Sequence, residues 1–393
     1  TLPVSLSILP AFQSPLELSA SLTQLPGVVT AFAPPMIMQG LTTFMETVVR
    51  SGRTPPTTGS LRTPRDFTPP SIPRDVGVPV GMVPEKIHTP YGGKFGSKPD
   101  GGYITLAYPK AIEPTQQNWD IWATGYGSRR VTDADRLLGF EERVSNDRGF
   151  AIGLNYAPSH SANIGVAIGK SVGGLDLDNR LGSLSSESLF FALRGRTESE
   201  RAYVEGALAY GSSDITTDRT VTVAGTDRFT SKVRGKSVAA SVEAGYKMGA
   251  VTPFVGLRAV SFKTPAHAEA TASGSSSYAL RYDALTTTSM RSELGVDMQW
   301  SKPTSGGGAS SIGVRAAWAH EFASNDAGMR SFQSLPDVVF PVTAPSGDRN
   351  SVILAAKVAF AGTGGFAIGA GLNAELSKST RDYGASVSAT YRW

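Results

Sequence analysis

The sequence has no cysteine, few charged residues and no long apolar run. Charged residues make up 18% of its 393 residues, and the formal net charge is only +4. The lack of cysteine excludes disulfides, thiol catalysis and thiolate metal sites, and it suits a chain exported through an oxidising compartment. No apolar run approaches the roughly 20 residues of a membrane-spanning helix. The diffuse positive charge does not point to nucleic acid as a partner.

The N-terminus also lacks the features of a complete gene product. The chain begins Thr1-Leu-Pro-Val-Ser, with no initiator methionine and no basic segment ahead of an apolar stretch. A secretion signal would show both features. We therefore expect a processed or truncated product.

Proline divides the chain into three regions. Residues 1–52 are apolar and low in charge, whereas residues 53–118 contain 12 of the 25 prolines. Proline at that density blocks helices and central strands, so 53–118 is predicted to be a largely irregular linker. Residues 119–393 have few prolines and alternate strongly between apolar and polar side chains.

This alternation predicts an all-β region of twelve strands. In the last strand Tyr383, Val387, Tyr391 and Trp393 share one face, while small or polar residues occupy the other, as expected for period-2 side-chain geometry. The predicted strands are 118–127, 148–157, 162–170, 187–196, 200–211, 235–247, 251–262, 284–300, 310–322, 350–361, 365–377 and 382–393.

The connections between these strands also alternate. Long polar stretches follow the first, third, fifth, seventh and ninth strands (128–147, 171–186, 212–234, 263–283 and 323–349), and tight links follow most of the others. An even number of antiparallel strands with this asymmetry is typical of an outer-membrane β-barrel. We therefore predict a barrel in the outer membrane of a Gram-negative bacterium, with both barrel ends periplasmic and the long loops extracellular.

Aromatic residues support the barrel prediction. Strands that descend to the short-turn end should finish with an outward aromatic at the membrane interface. The predicted girdle consists of Tyr156, Tyr246, Trp300, Phe360, Tyr391 and Trp393. The fourth strand departs from the pattern and offers Leu193.

A single helix is predicted before the proline-rich region. Residues 36–50 are helix-forming, Pro34 and Pro35 stand at the start, and Gly52 follows as a stop. A helix of about 16 residues spans about 24 Å, close to the roughly 25 Å apolar band of an outer-membrane barrel. The composition favours a helix that plugs the lumen and is surrounded by protein on all sides.

Several segments together resemble one known family. Leu22-Thr-Gln-Leu-Pro-Gly27 ahead of the helix, Thr252-Pro-Phe-Val-Gly-Leu-Arg258, Ala317-Trp-Ala-His-Glu-Phe322 and the closing Tyr391-Arg-Trp393 are similar to segments of type V autotransporter translocator domains. The resemblance implies a passenger stub or junction in 1–27, a pore helix in 28–52 and a twelve-stranded translocator in 119–393. Tyr391 and Trp393 would also form the assembly signal.

The resemblance also implies function and partners. The chain would secrete or display an N-terminal passenger at the cell surface and anchor it in the outer membrane. Its partners would be outer-membrane lipid and lipopolysaccharide, the barrel-assembly machinery, periplasmic chaperones and its own passenger domain. Many members release the passenger by cleavage at an Asn or Asp within the helix, but residues 28–52 contain neither.

Charged residues collect on the strand faces predicted to line the lumen, because charges facing lipid would cost several kcal/mol. These are Glu205, Glu243, Arg258, Glu293, Asp297, Arg315, Lys357, Glu375 and Arg392. They either pair along a wet wall or contact the helix. The helix residues predicted to meet them are Gln39, Thr42, Thr43, Glu46 and Arg50.

Enzyme signals are weak, and no catalytic, cofactor or metal residue is predicted. Gly169-Lys-Ser-Val-Gly173 matches a nucleophile elbow, but no helix is predicted after Ser171 as that motif requires. His267 and His320 with Glu321 are the only candidates for a hydrolase site at the rim. Two further alternatives stay open: a diffusion porin, which the helix disfavours, and a structural or adhesive barrel that acts through its long loops or within a surface complex.

Overall fold

A computed structural model describes the helix and the barrel. It describes residues 25–51, 118–134, 142–177, 182–223, 225–304, 306–322, 327–342 and 347–393. The predicted linker 53–118 lies outside the described residues except for Asn118, and so does the predicted stub 1–27 except for its last three residues.

The barrel is a closed sheet of twelve antiparallel strands, as predicted. Each strand pairs with the next along the chain, and the first pairs with the last from Asp120–Arg392 to Thr132–Thr380. The barrel strands are β1 (Trp119–Thr132), β2 (Arg143–Ser159), β3 (Ala162–Leu177), β4 (Gly182–Glu198), β5 (Ala202–Val221), β6 (Asp227–Tyr246), β7 (Val251–Thr264), β11 (Leu285–Pro303), β12 (Ala309–Glu321), β15 (Asn350–Ala361), β16 (Phe366–Ser377) and β17 (Thr380–Arg392).

Three of the five predicted long loops are wrong in extent. Half of 128–147 and most of 171–186 and 212–234 continue the strands, which project beyond the apolar band of the barrel. In β5, for example, Ile215, Arg219 and Val221 face inward and are buried, while Asp214 and Asp218 face outward. The outward residues become polar there, so the apolar signal ends although backbone pairing continues.

The two remaining long loops build a small cap at the same end of the barrel. The cap contains β8 (His267–Ala268), β10 (Leu280–Tyr282), β13 (Gly328–Phe332) and β14 (Leu335–Val342), in the spatial order β14-β13-β10-β8. The short strand β9 (Ala270–Ser273) pairs instead with the projecting part of β6.

The helix lies in two pieces, α1 (Val28–Ala31) and α2 (Ala33–Ser51). Gly27 precedes α1 with a φ of 65°, and a Cβ there would lie 2.6 Å from Leu280, so only glycine fits without strain. Pro34 and Pro35 stand in the first turn of α2, where their missing N–H groups cost nothing. The sequence analysis found no apolar run as long as a membrane-spanning helix. Val28–Ser51 is nevertheless long and apolar enough to cross a membrane, but 72% of its most apolar window is buried within the protein.

Candidate functional site: the lumen and its helix

The helix lies against one half of the barrel wall. Its buried residues Ile37, Leu41, Phe44, Met45 and Val48 follow helical spacing and pack mainly against β2–β6. The polar residues occupy the opposite face. The helix lies within the lumen as predicted, and α2 is amphipathic there, with one face packed on the wall and the other beside open space.

The composition of the wall explains this position. The inner face of β2–β6 carries small residues such as Ala151, Ala167, Ala192 and Ala209, all buried. The inner faces of β11, β12 and β16 carry more charges (Arg291, Glu293, Asp297, Arg315 and Glu375), although β4–β6 also contribute Arg194, Glu205 and Glu243. An apolar helix face packs against the first wall at no cost and would have to desolvate charges at the second.

Phe44 is the deepest contact between helix and wall. Its ring is fully buried and stacks on Phe190, with centroids 5.2 Å apart. The ring enters a notch at Gly169, where a Cβ would lie 2.6 Å from Phe44 Cε2 and 2.8 Å from the Phe150 carbonyl oxygen. The notch exists because residue 169 has no side chain.

Open space separates the polar face of α2 from the charged wall. A cavity of ≈450 Å³ lies beside Gln39 and Thr42, and one of ≈210 Å³ lies beside Thr43, Glu46 and Arg50. All five helix residues predicted to be polar contacts therefore face the lumen side of the helix. Lys357 lines the smaller cavity.

An ion-pair network joins α2 to the charged wall. Arg258 Nη1 donates to Glu46 Oε1 at 2.9 Å, and Arg258 Nη2 donates to Glu293 at 3.4 Å. Arg315 donates to Glu243 at 2.7 Å and to Asp297 at 3.0 Å, with its guanidinium 3.5 Å above the Phe254 ring. Five predicted lumen residues thus share one network, which reaches the helix through Glu46.

Of the other predicted lumen residues, Glu205 and Arg392 pair locally, whereas Glu375 is linked to the network through Arg291, which lies 3.5 Å from Glu293. Glu205 is buried and accepts from Arg194 and Arg196, each at 2.9 Å. Glu375 accepts from Arg291 at 2.9 Å, and Arg392 lies 3.8 Å from Asp120.

Closer to the long-loop end of the lumen, Asp382 makes a second bridge between helix and wall. Its Oδ2 accepts from Gln39 at 2.5 Å and from Arg130 at 3.0 Å. Neither Asp382 nor Arg130 was predicted, although both lie on the inward parity of their strands, which could have identified them.

A buried polar cluster holds the chain where it enters the barrel. Arg330 Nη1 donates to the carbonyl oxygens of Pro26 and Gly27 at 2.5 and 2.6 Å. Glu269 accepts two bonds from Arg219, at 2.9 and 2.5 Å, and one from the Tyr282 hydroxyl at 2.7 Å. We call Arg219, Glu269, Tyr282 and Arg330 the cap cluster.

The donor groups of the cap cluster keep their protons at neutral pH. Burial lowers the pKa of Arg330 to about 10, so its guanidinium stays charged at neutral pH. Burial and the Glu269 carboxylate both raise the pKa of Tyr282, so the hydroxyl keeps its proton. No sequence pattern indicated this cluster, because its members come from separate loops and strands.

At the short-turn end the predicted girdle residues lie on the outer face. Tyr246, Trp300, Phe360, Tyr391 and Trp393 are each about half exposed, and Tyr156 packs on Trp119 with ring centroids 4.5 Å apart. Trp119 and Phe366 belong to the same ring and were missed, because each begins a strand instead of ending one.

The residues considered for catalysis lie apart from one another in the structure. His267 stacks on Tyr282 in the cap, His320 contacts Asn350 on the outer face, and Ser171 lies within β3 and donates to Asp147. Among the described residues, no group of three or more His, Asp or Glu side chains could hold a metal ion.

Comparison with known proteins agrees with this architecture. The family model described as autotransporter beta-domain matches residues 121–373. The translocator domain of the autotransporter NalP from Neisseria meningitidis superposes with a TM-score of 0.58 at 13% identity, covering 71% of this chain and 90% of NalP's. The β-domain of the Bordetella autotransporter BrkA gives 0.52 at 16% identity, covering 70% and 100%. No curated protein matches the chain by sequence.

Proposed function

This chain belongs to the autotransporter β-domain family, and on that premise we propose that it carries a passenger across the outer membrane and anchors it there. The passenger would precede Leu25 in the chain. The barrel is an outer-membrane protein, and its long-loop end would face the cell exterior. Both barrel ends would then be periplasmic.

The course of the helix carries this proposal. The chain enters at the cap cluster, which binds the carbonyls of Pro26 and Gly27, and α2 then runs down the lumen to Arg50. A chain segment attached to Leu25 would therefore emerge at the long-loop end. A diffusion porin would not need a helix joined to its own barrel by a buried aromatic contact and an ion-pair network.

We further propose that the protein is not an enzyme and that the helix stays covalently attached. Residues 28–51 contain no Asn or Asp, the residue types at which related helices are cut. The one side-chain amide in this segment belongs to Gln39, which donates to Asp382 at 2.5 Å. Gln has one more methylene than Asn, and its cyclisation onto the backbone would need a larger ring.

The proposed partners follow from this role. They are the barrel-assembly machinery and periplasmic chaperones during insertion, outer-membrane lipid and lipopolysaccharide afterwards, and the passenger throughout. The C-terminal Tyr391 and Trp393 would be read during insertion, since both rings lie exposed at the seam where β17 meets β1.

Surface labelling of epitope tags tests the topology. One tag would be placed ahead of Thr1, behind a secretion signal, and the matched control tag would be inserted after Gly364 in the short β15–β16 turn. We expect antibody added to intact cells to reach the first tag only, and both tags after lysis. An exposed Gly364 tag or a protected N-terminal tag in a correctly inserted barrel would contradict the proposal.

One observation favours the alternative of an adhesive barrel. In the cap, Leu335, Val338 and Val339 of β14 are each nearly half exposed, and exposed apolar residues at a loop end are typical of contact surfaces. If the barrel is adhesive, replacing all three residues by Ser should reduce cell adhesion without changing the exposure of the N-terminal tag.

A further inference from the structure

Two lysines face each other on the outside of the barrel at its long-loop end. Lys236 of β6 pairs with Lys263 of β7 in the strand register, and both side chains are exposed. They share the outward parity of Val238 and Ser261, the pair one step below. Like charges directly opposite each other on a sheet are destabilising, so this pairing calls for a counter-ion.

The surroundings supply little negative charge. The next outward residues up β6 are Arg234 and Lys232, both exposed. Asp214 of β5 stands opposite Arg234 in the strand register, and its carboxylate pairs with Arg234 at 2.6 Å. Four cations and one anion thus share this patch, which we call the lysine patch (Lys232, Arg234, Lys236 and Lys263).

The height of the patch matches a membrane surface. Lys236 lies ten residues above the girdle residue Tyr246 on the same strand face. At roughly 3.3 Å per residue and a tilt of about 40°, that span is about 25 Å across the membrane, the thickness of the apolar band. The exposed Tyr210 ring pairs with Val238 immediately below, where interfacial aromatics are common.

The outer face at this end also carries cations on other strands. Arg129, Arg148, Lys170 and Arg381 are outward and exposed, and Lys170 pairs with Glu187 while Arg381 pairs with Asp133. The adjacent strand β11 presents Thr286 and Thr288, and β15 ends in Asn350. The lysine patch differs from the other cations because two of its lysines stand directly opposite each other in the strand register, which favours an anion that approaches β6 and β7 from the lipid side.

We propose that the lysine patch binds the phosphate groups of a phosphorylated, acylated lipid of the outer leaflet. The acyl chains would lie along Val238, Val242 and Leu257, which are each about half exposed, and a phosphate would bridge Lys236 and Lys263. The inference rests on the proposed orientation, which places this end in the outer leaflet.

Lipid binding to the purified 393-residue chain tests the proposal. The probe is bis-phosphorylated lipid A, added to the protein in neutral detergent and counted by native mass spectrometry. At about 1 kcal/mol per cation, Lys236→Gln with Lys263→Gln should weaken binding about 30-fold, and each single change about 5-fold. The control is Lys247→Gln with Lys302→Gln, which removes the same charge at the short-turn end and should leave binding unchanged.

Several outcomes would overturn the proposal. These are equal binding by the Lys236/Lys263 variant in folded form, equal binding of dephosphorylated lipid A, or displacement by millimolar inorganic phosphate, which would indicate a free-anion site. If the double variant does not fold, the single changes decide.

The orientation is tested separately. Because the chain lacks cysteine, Ser277→Cys creates a unique label site in the cap. An impermeant thiol reagent should label it on intact cells. Lack of labelling would refute the proposed orientation, and with it the outer-leaflet assignment, whatever the lipid assay shows in detergent.

Discussion

Phe44→Ala should release the helix from the wall more than any other single truncation on α2. The ring is fully buried, stacks on Phe190 and fills the notch above Gly169. Truncation of a buried Phe to Ala costs about 3–5 kcal/mol when the surroundings cannot collapse. Here they cannot, because the notch is made of strand backbone that is hydrogen-bonded on both sides.

The expected magnitude is large enough to measure by conductance. A loss of about 3 kcal/mol raises the undocked fraction roughly 100-fold. Single-channel recording in planar bilayers would report the fraction of time in the open state, with a chain lacking residues 28–51 as the fully open reference. The matched control is Thr47→Ala, since that half-buried hydroxyl bonds only to the Thr43 carbonyl of its own helix.

The reasoning would be refuted by one clear result. If the Phe44→Ala barrel is folded and its open fraction stays within threefold of the unmodified chain, the notch does not hold the helix. If Thr47→Ala opens the channel as much as Phe44→Ala does, the effect is a general loss of helix stability and not the loss of one contact.

Three further predictions concern other points of attachment. Arg330→Met leaves the partly buried Pro26 carbonyl unpaired at about 1–3 kcal/mol, while the Gly27 carbonyl keeps its bonds from Thr30, and it should raise the open fraction at least about fivefold, whereas an unchanged fraction would remove the cap cluster from helix docking. A double-mutant cycle of Glu46→Gln and Arg258→Gln, followed by thermal unfolding in detergent, should give a coupling of about 0.5–1 kcal/mol, since Glu46 is one-third exposed, and zero coupling would contradict the bridge. Trp393→Ser should lower the amount of folded barrel in outer-membrane fractions several-fold, and normal insertion would count against an assembly signal there.

The strands were predictable because their signal is local. The strand predicted at 365–377 is β16 at Phe366–Ser377, since lipid on one side imposes apolar residues along its whole length. The strand predicted at 235–247 begins eight residues earlier, at Asp227. Above the apolar band the outward residues are polar. Buried and exposed residues therefore still alternate along the strand, but apolar and polar residues no longer do.

The helix contacts were not predictable, because they join distant parts of the chain. Arg330 meets Pro26 across 304 residues, and Arg258 meets Glu46 across 212. Strand parity indicated which charges line the lumen, but not which half of the wall is small and apolar enough to receive a helix. That asymmetry emerges only when the twelve inner faces are arranged around the barrel.

The contacts on the helix differ in what they can recognise. Arg330 binds backbone carbonyls, which every residue offers, but position 27 beside Leu280 and Tyr282 admits only glycine without strain, so the cap cluster selects the residue at that one position. Phe44 fits only opposite Gly169, and Glu46 meets Arg258 two residues further along α2. These two contacts lie on different faces of α2 and engage different strands, β3 and β7, so together they define both the position of the helix along the lumen and its rotation. The register of the helix is therefore set by side-chain contacts in the middle of the lumen and by the glycine at its entrance.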